Sequence, residues 1–163
     1  MNTATPQLKW LWFSLGVIIA DQVTKQIAEA NLSLHQAINV LPYFDWYLTY
    51  NTGAAFSLLA DAGGWQRWFF TVIAVVVSAV LVQWIRKLPC EDRLTALSLS
   101  LILGGAIGNL IDRILLGHVI DYIQIWLGSY PFPAFNIADA AISVGAALLI
   151  LSSFFGAPKA DEG

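Results

Sequence analysis

Two aspartates sit where a carboxylate is costly. Asp121 lies among apolar neighbours in GHVIDYIQIW, and Asp139 stands at the head of the apolar run of PAFNIADAAISVGAALLI, residues 133–150. Two carboxyl groups sharing one site cannot both ionise easily, because like charges at short range raise one pKa. One then stays a base able to take a proton from water, and the other keeps a proton to give to a carbonyl oxygen. That chemistry needs no metal, cofactor or nucleophilic side chain. Asp112 and Asp21 are further candidates for such a pair. Asp139 also has a plainer reading: Asn136 and Asp139 have the spacing of a capping box, and an acid suits the positive end of a helix dipole.

Other polar residues cluster in the same way. Asp21 and Lys25 are four apart and share a helix face, either as an ion pair or as part of a site. Asn109 is three and four residues before Asp112 and Arg113. Those two charges either stop an apolar span or belong to the site. Arg113 is placed to orient a substrate backbone or to brace Asp112. Gly104, Gly105 and Gly108 make the preceding segment thin, which permits close helix contact and would hold Asn109 and Asp112 rigidly.

The chain around them reads as a membrane protein. It has 163 residues, 58% hydrophobic and only 12% charged, against about a quarter charged in soluble domains. Apolar stretches at about 8–28, 68–85, 94–111 and 137–155 each approach the roughly 20 residues that cross a hydrocarbon core. The first is too long for a signal-peptide core and lacks a small-residue cleavage pattern, so it reads as a retained helix. Four transmembrane helices in one domain, residues 1–163, follow.

Lys9, Arg86, Lys87, Arg93 and Lys159 fall on one side, which is the cytoplasm by the positive-inside rule, with both termini. Asp21, Lys25, Asn109, Asp112, Arg113, Asn136 and Asp139 then all come to the outer boundary, and Asn51 and Asp121 lie on the outer loops. Asn39–Asn51, NVLPYFDWYLTYN, reads as one or two strands of a small extracytoplasmic β platform between helices 1 and 2. Gly53–Trp65 reads as a short interfacial helix, and the tail APKADEG as disordered. The net charge of −3 and the scattered basic residues give no nucleic-acid partner. The lone Cys90 excludes an internal disulfide, and no His/Cys cluster has metal-ligand spacing. A proton-conducting bundle would instead spread polar residues through the full depth, and a non-catalytic assembly factor would use the aromatic outer loops for docking.

Five stretches together resemble lipoprotein signal peptidase, or signal peptidase II: DQVTK (21–25), NTGAAFS (51–57), GGAIGNLIDR (104–113), GHVIDYI (117–123) and FNIADAAISVG (135–145). They come in that family's order. The resemblance implies an aspartic endopeptidase, a multi-pass hydrolase of the bacterial cytoplasmic (inner) membrane, its site near the extracytoplasmic face. Its substrates would be prolipoproteins with a diacylglyceryl-modified cysteine, cut just before that cysteine. The resemblance assigns the catalytic pair to Asp121 and Asp139. It assigns Asn51, Gly53, Gly105, Asn109, Asp112, Arg113 and Asn136 to lining or bracing the site, and a largely structural role to Asp21 and Lys25. It also implies membrane lipid and globomycin-type inhibitors as partners, no cofactor, and a monomer. Tyr122 departs from the Phe usual in that family after the catalytic Asp. The Asp-Thr-Gly motif of soluble aspartic proteases is absent.

Overall fold

The computed structural model describes residues 7–53 and 64–155. A 3-10 turn, Gln7–Trp10, leads into α1, Leu11–Asn31; α2 is Trp65–Lys87, α3 Arg93–Leu115 and α4 Ile137–Phe155. The expected helix at Gly53–Trp65 falls mostly on 54–63, and the tail on 157–163, both outside the described residues.

Among the described residues, three helices are long and apolar enough to cross a membrane: Trp65–Lys87, Arg93–Leu115 and Ile137–Phe154, with mean hydropathy of 2.2, 1.8 and 1.9. Lipid is the solvent their surfaces fit. Val72, Val76 and Val80 of α2 and Val144 and Ile150 of α4 all point outward and exposed. A water-soluble fold of this size would bury such side chains. α1 is less apolar along its length because Asp21 and Lys25 interrupt it. Both are turned inward and fully buried, while Trp12, Ile19, Val23 and Ile27 form its exposed apolar face.

α3 is the central helix and packs against the other three. Its small residues allow this. A Cβ on Gly104 would meet the Ser14 carbonyl of α1 at 2.8 Å, and one on Gly105 would fall against the Ala138 carbonyl oxygen of α4. Away from the polar residues, Leu99 and Leu103 of α3 pack on Leu81 and Ile85 of α2.

The sheet is larger than the sequence suggests. β1 (Ala37–Leu41) and β2 (Phe44–Asn51) form the expected hairpin, but β3 (Val119–Leu127) and β4 (Tyr130–Pro131) join them in the antiparallel order β1-β2-β3-β4. The platform therefore draws on both long connections, not only the one between the first two helices. Asn51 pairs with Val119 and Thr49 with Asp121. Asp121 is thus a strand residue rather than a loop residue. Leu48, Ile120 and Tyr122 of the sheet pack with Ala28 of α1, and the Tyr122 hydroxyl donates to Thr24 Oγ1 at 2.7 Å. The sheet is thereby seated on the end of the bundle where the polar residues lie.

Helix bounds differ by a few residues from the apolar runs. α3 continues through Asp112 and Arg113 to Leu115. These charges do not stop the helix, because both find partners beside it.

Candidate active site

The first turn of α4 organises the site. Asn136 Oδ1 accepts from the Asp139 backbone N–H at 2.9 Å, and Asp139 Oδ2 accepts from the Asn136 N–H at 3.3 Å. This is the reciprocal capping box that the spacing predicts. The cap leaves Asp139 Oδ1 and the Asn136 amide nitrogen free to reach other elements. Asp139 Oδ1 accepts from Asn109 Nδ2 of α3 at 2.7 Å. Asn136 Nδ2 faces Asp121 Oδ1 of β3 at 2.7 Å, with Asn109 Oδ1 and Ile120 O each at 3.2 Å. Asn51, at the end of β2, donates from Nδ2 to Asp121 Oδ2 at 3.2 Å, while its Oδ1 accepts from Gly53 N at 3.0 Å. All four carboxylate oxygens of Asp121 and Asp139 therefore accept an N–H bond from an amide.

Both carboxyl groups line one cavity of about 610 Å³, together with Asn51, Asn109 and Arg113. Its remaining walls are mostly apolar: Ile125 of β3, Phe132 and Phe135 of the connection to α4, and Ile142 and Val144 further along α4. A few convergent polar groups in an apolar pocket are the usual form of a site that orients one bond of an otherwise apolar ligand. Burial pushes the Asp121 carboxyl up to about 7, and the negative charge of Asp139 adds to this. The Asn51 bond, the Lys25 charge and the Asn136 bond pull the other way. At neutral pH such a group holds a proton for much of the time.

A second polar layer lies behind the cavity wall. Lys25 Nζ reaches Asp21 Oδ2 at 2.8 Å, Asp112 Oδ2 at 2.7 Å and Asn109 Oδ1 at 2.9 Å, so its three N–H bonds all have acceptors. Asp21 Oδ1 accepts from the Ala138 N–H at 2.9 Å, which satisfies another first-turn donor of α4. Asp112 Oδ2 also accepts from Ile120 N at 3.2 Å, which anchors β3 to α3. Asp21, Lys25 and Asp112 are each no more than 2% exposed.

The expected residues thus converge in two layers. Asn51, Asn109, Arg113, Asp121 and Asp139 line the cavity. Asp21, Lys25, Asp112 and Asn136 lie behind it, and Gly105 permits the α3–α4 contact that aligns both layers. Gly108 makes room for the Asp21 carboxylate, which lies 2.6 Å from where its Cβ would be. Two pairings that spacing allows are not made. Arg113 does not brace Asp112. Its guanidinium donates to Asn109 O at 3.3 Å and Gly53 O at 3.1 Å and lies 5.5 Å from the Phe70 ring centroid. The Asn109 side chain turns to Lys25 and Asp139 rather than to Asp112, and the two residues meet only through the Lys25 ammonium, which donates to both.

Gln22 was not singled out in the sequence. Its Nε2 donates to Asp112 Oδ1 at 2.8 Å and contacts the Gly108 carbonyl at 3.2 Å. Its place three residues before Lys25 puts it on the same helix face, which is the signal that could have found it. The aromatic wall was visible only as the PFPAF stretch before Asn136. Among the described residues, no group of three His, Cys, Asp or Glu could hold a metal ion.

A family model described as signal peptidase (SPase) II matches residues 13–155. A lipoprotein signal peptidase of Pseudomonas fluorescens is 59% identical over 150 residues, covering 91% of this chain and 88% of that one. One from Pseudomonas syringae pv. tomato is 56% identical over 155 residues, covering 94% and 90%. A solved structure described as a bacterial membrane enzyme aligns with a TM-score of 0.81 at 30% identity, covering 94% of each chain. The match runs through both layers of the site and nearly the whole chain, and the chain belongs to the signal peptidase II family.

Proposed function

We propose that this protein removes signal peptides from diacylglyceryl-modified bacterial prolipoproteins, cutting just before the lipidated cysteine, with Asp121 and Asp139 as the catalytic pair. The observation that carries the mechanism is the arrangement of these two carboxyl groups. They open on one apolar-walled cavity and have amide donors on all four oxygens. Among the described residues, no cation forms an ion pair with either. Such a pair holds one proton between its members.

In this scheme Asp121, whose carboxyl burial pushes up to about 7, holds the shared proton. Asp139 takes a proton from water as the water oxygen attacks the scissile carbonyl carbon. The Asp121 proton passes to the carbonyl oxygen, giving a neutral gem-diol. The C–N bond then breaks, Asp139 gives its proton to the leaving amine, and a gem-diol hydroxyl proton returns to Asp121. Arg113 binds the substrate backbone at the cavity mouth and holds the Gly53 carbonyl. Ile142, Val144 and the aromatic wall receive the apolar parts of the substrate.

The membrane arrangement follows the same reading. α1 serves as a fourth span, its buried charges inward and its apolar face to lipid. At about 31 Å for 21 residues it is long enough. Lys9, Arg86, Lys87 and Arg93 belong to the end opposite the sheet, where Gln7 Nε2 bonds the Pro89 carbonyl at 2.7 Å. This supports a cytoplasmic location for that end and for both termini. The site then lies near the extracytoplasmic face of the inner membrane in a single embedded domain. A monomer suffices, and globomycin-type inhibitors would compete for the cavity.

The test is cleavage of a diacylglyceryl prolipoprotein by the purified protein. Wild type should release the signal peptide, and Asp121→Asn and Asp139→Asn should each fail to do so. A single variant that cuts at the wild-type rate removes that residue from the mechanism. A wild type that never cuts removes the peptidase reading.

A further inference from the structure

Each asparagine amide around the two carboxyl groups has its orientation set from behind. Asn51 Oδ1 accepts from the Gly53 N–H, and Asn136 Oδ1 accepts from the Asp139 N–H. In both cases the backbone does the work. Asn109 differs. Its Oδ1 accepts from Lys25 Nζ at 2.9 Å and more distantly from Asn136 Nδ2 at 3.2 Å. An ammonium can only donate. Asn109 must therefore turn its carbonyl to Lys25 and its N–H to Asp139. Because the bond from Lys25 is charge-assisted, it is the stronger of the two constraints.

We propose, resting on the peptidase reading above, that Lys25 is a positioning residue for the reaction: through Asn109 it keeps an N–H donor aimed at Asp139 Oδ1, and so keeps Asp139 available as a base. Without the ammonium, the amide of Asn109 can turn over. Its carbonyl oxygen would then face Asp139 Oδ1, an arrangement that suits only a protonated carboxyl. Both aspartates would hold protons, and no base would remain to activate water. The groups that act on this pair come from three elements besides their own: Asp21 and Lys25 from α1, Asp112 and Arg113 from α3, and the Asn51 amide from β2. Asp21 and Asp112 hold the Lys25 ammonium at its second and third N–H bonds, so their role here is to place the ammonium. A largely structural role for Lys25 predicts a loss of folded protein and nothing else. Positioning predicts a change in the pH dependence of the protein that does fold.

The experiment measures kcat and KM for cleavage of a diacylglyceryl prolipoprotein across the pH range with the purified full chain. Lys25→Met should lower kcat at neutral pH on the order of ten- to a hundredfold, the worth of one hydrogen bond to a charged group. KM should change little, and the acid limb of the profile should move to higher pH by about one unit or more. Asn109→Leu keeps the ion pairs of Lys25 and should reproduce both changes, so the test survives if Lys25→Met does not fold. In the Asn109→Leu background, adding Lys25→Met should cost little further turnover, because the two act in series. Gln22→Ala loosens the same layer without touching Lys25 or Asn109, and should lower Tm without moving the acid limb.

The proposal is overturned if Asn109→Leu keeps the wild-type kcat and acid limb, or if Gln22→Ala shifts the limb as far as Lys25→Met. Either result, with Asp121→Asn and Asp139→Asn inactive, leaves the peptidase reading standing.

Discussion

Two pairs of aspartates lie a few side chains apart, and they are built in opposite ways. Asp21 and Asp112 have an ammonium between them, at 2.8 Å and 2.7 Å. Asp121 and Asp139 have, among the described residues, amide donors in its place, and they open on a cavity. Both members of the first pair share one central cation, and each accepts further bonds that knit α1, α3, β3 and α4 together. The second pair lacks such a cation, and the proposed mechanism places one proton on it. On the proposed mechanism, the same residue type serves as scaffold or as reagent according to whether a cation fills the space between the two groups.

Asparagine substitutions should separate the pairs most sharply. Asp121→Asn should lower cleavage by at least about a thousandfold, within the range lost when a general acid or base is removed. It should lower Tm only a little, because it sets an N–H against one neutral amide donor while removing a carboxyl whose ionisation burial opposes. Asp21→Asn should do the reverse. Both Asp21 oxygens accept, one from Lys25 and one from the Ala138 N–H, and an asparagine must present N–H to one of them. Breaking one partner of a buried charge network costs about 3–5 kcal/mol, read as a large fall in Tm in detergent. Asp112→Asn should be milder, because its Oδ2 and Oδ1 face donors that an amide and a turned-over Gln22 can satisfy. Equal losses of Tm for Asp121→Asn and Asp21→Asn would erase the distinction between the pairs.

The pH dependence sharpens the same contrast. The Asp121 carboxyl lies near 7 in the folded protein, against about 3.9 in an unfolded chain. Its folded-state pKa is raised, so the stability associated with it is fully present below about pH 3.9 and is lost as pH rises through about 7. Cleavage that needs the Asp121 proton should fall along an alkaline limb beginning near 7. The stability slope over that window should flatten in Asp121→Asn. An alkaline limb that begins far above neutrality would count against Asp121 as the holder of the shared proton.

How much of this was legible in the sequence follows from the range of each contact. The capping box of Asn136 and Asp139 and the Asp21–Lys25 pair are three- and four-residue spacings on helices, and both were visible. Lys25 to Asn109 spans 84 residues and Asn51 to Asp121 spans 70. No periodicity encodes such pairings. Apolar runs and the bias of basic residues indicated which end of the bundle these residues share, but not their order within it. The assignment of Asp121 and Asp139 as a pair came from the family resemblance. Asp121 read as a loop residue because β3 finds its partner β2 across α2 and α3, and a strand edge completed from so far away leaves only a short apolar alternation behind. Arg113 was read either as orienting a substrate backbone or as bracing Asp112, its chain neighbour, and the second does not hold. Adjacent residues on a helix point about 100° apart, and Asp112 takes Lys25 while Arg113 takes Gly53.

Tyr122 gives the smallest and most selective difference between scaffold and reagent. It follows Asp121 directly, yet alternation along β3 sends it to the opposite face of the strand. There it is 3% exposed, and its hydroxyl bonds Thr24 Oγ1 of α1 at 2.7 Å. The ring packs in the cluster that seats the sheet on the bundle. Tyr122→Phe keeps that ring and removes one buried hydrogen bond. Thr24 Oγ1 keeps its own bond to the Ala20 carbonyl at 2.7 Å, so no donor is left stranded. The expected cost is about 1 kcal/mol of stability, seen as a small fall in Tm. Cleavage rate and pH profile should be unchanged, because the hydroxyl lies on the α1 side of the strand and outside the cavity lining. A Tyr122→Phe protein with altered turnover at unchanged Tm would mean that the seat of the sheet and the carboxyl pair are mechanically coupled, and that the two faces of β3 do not act independently.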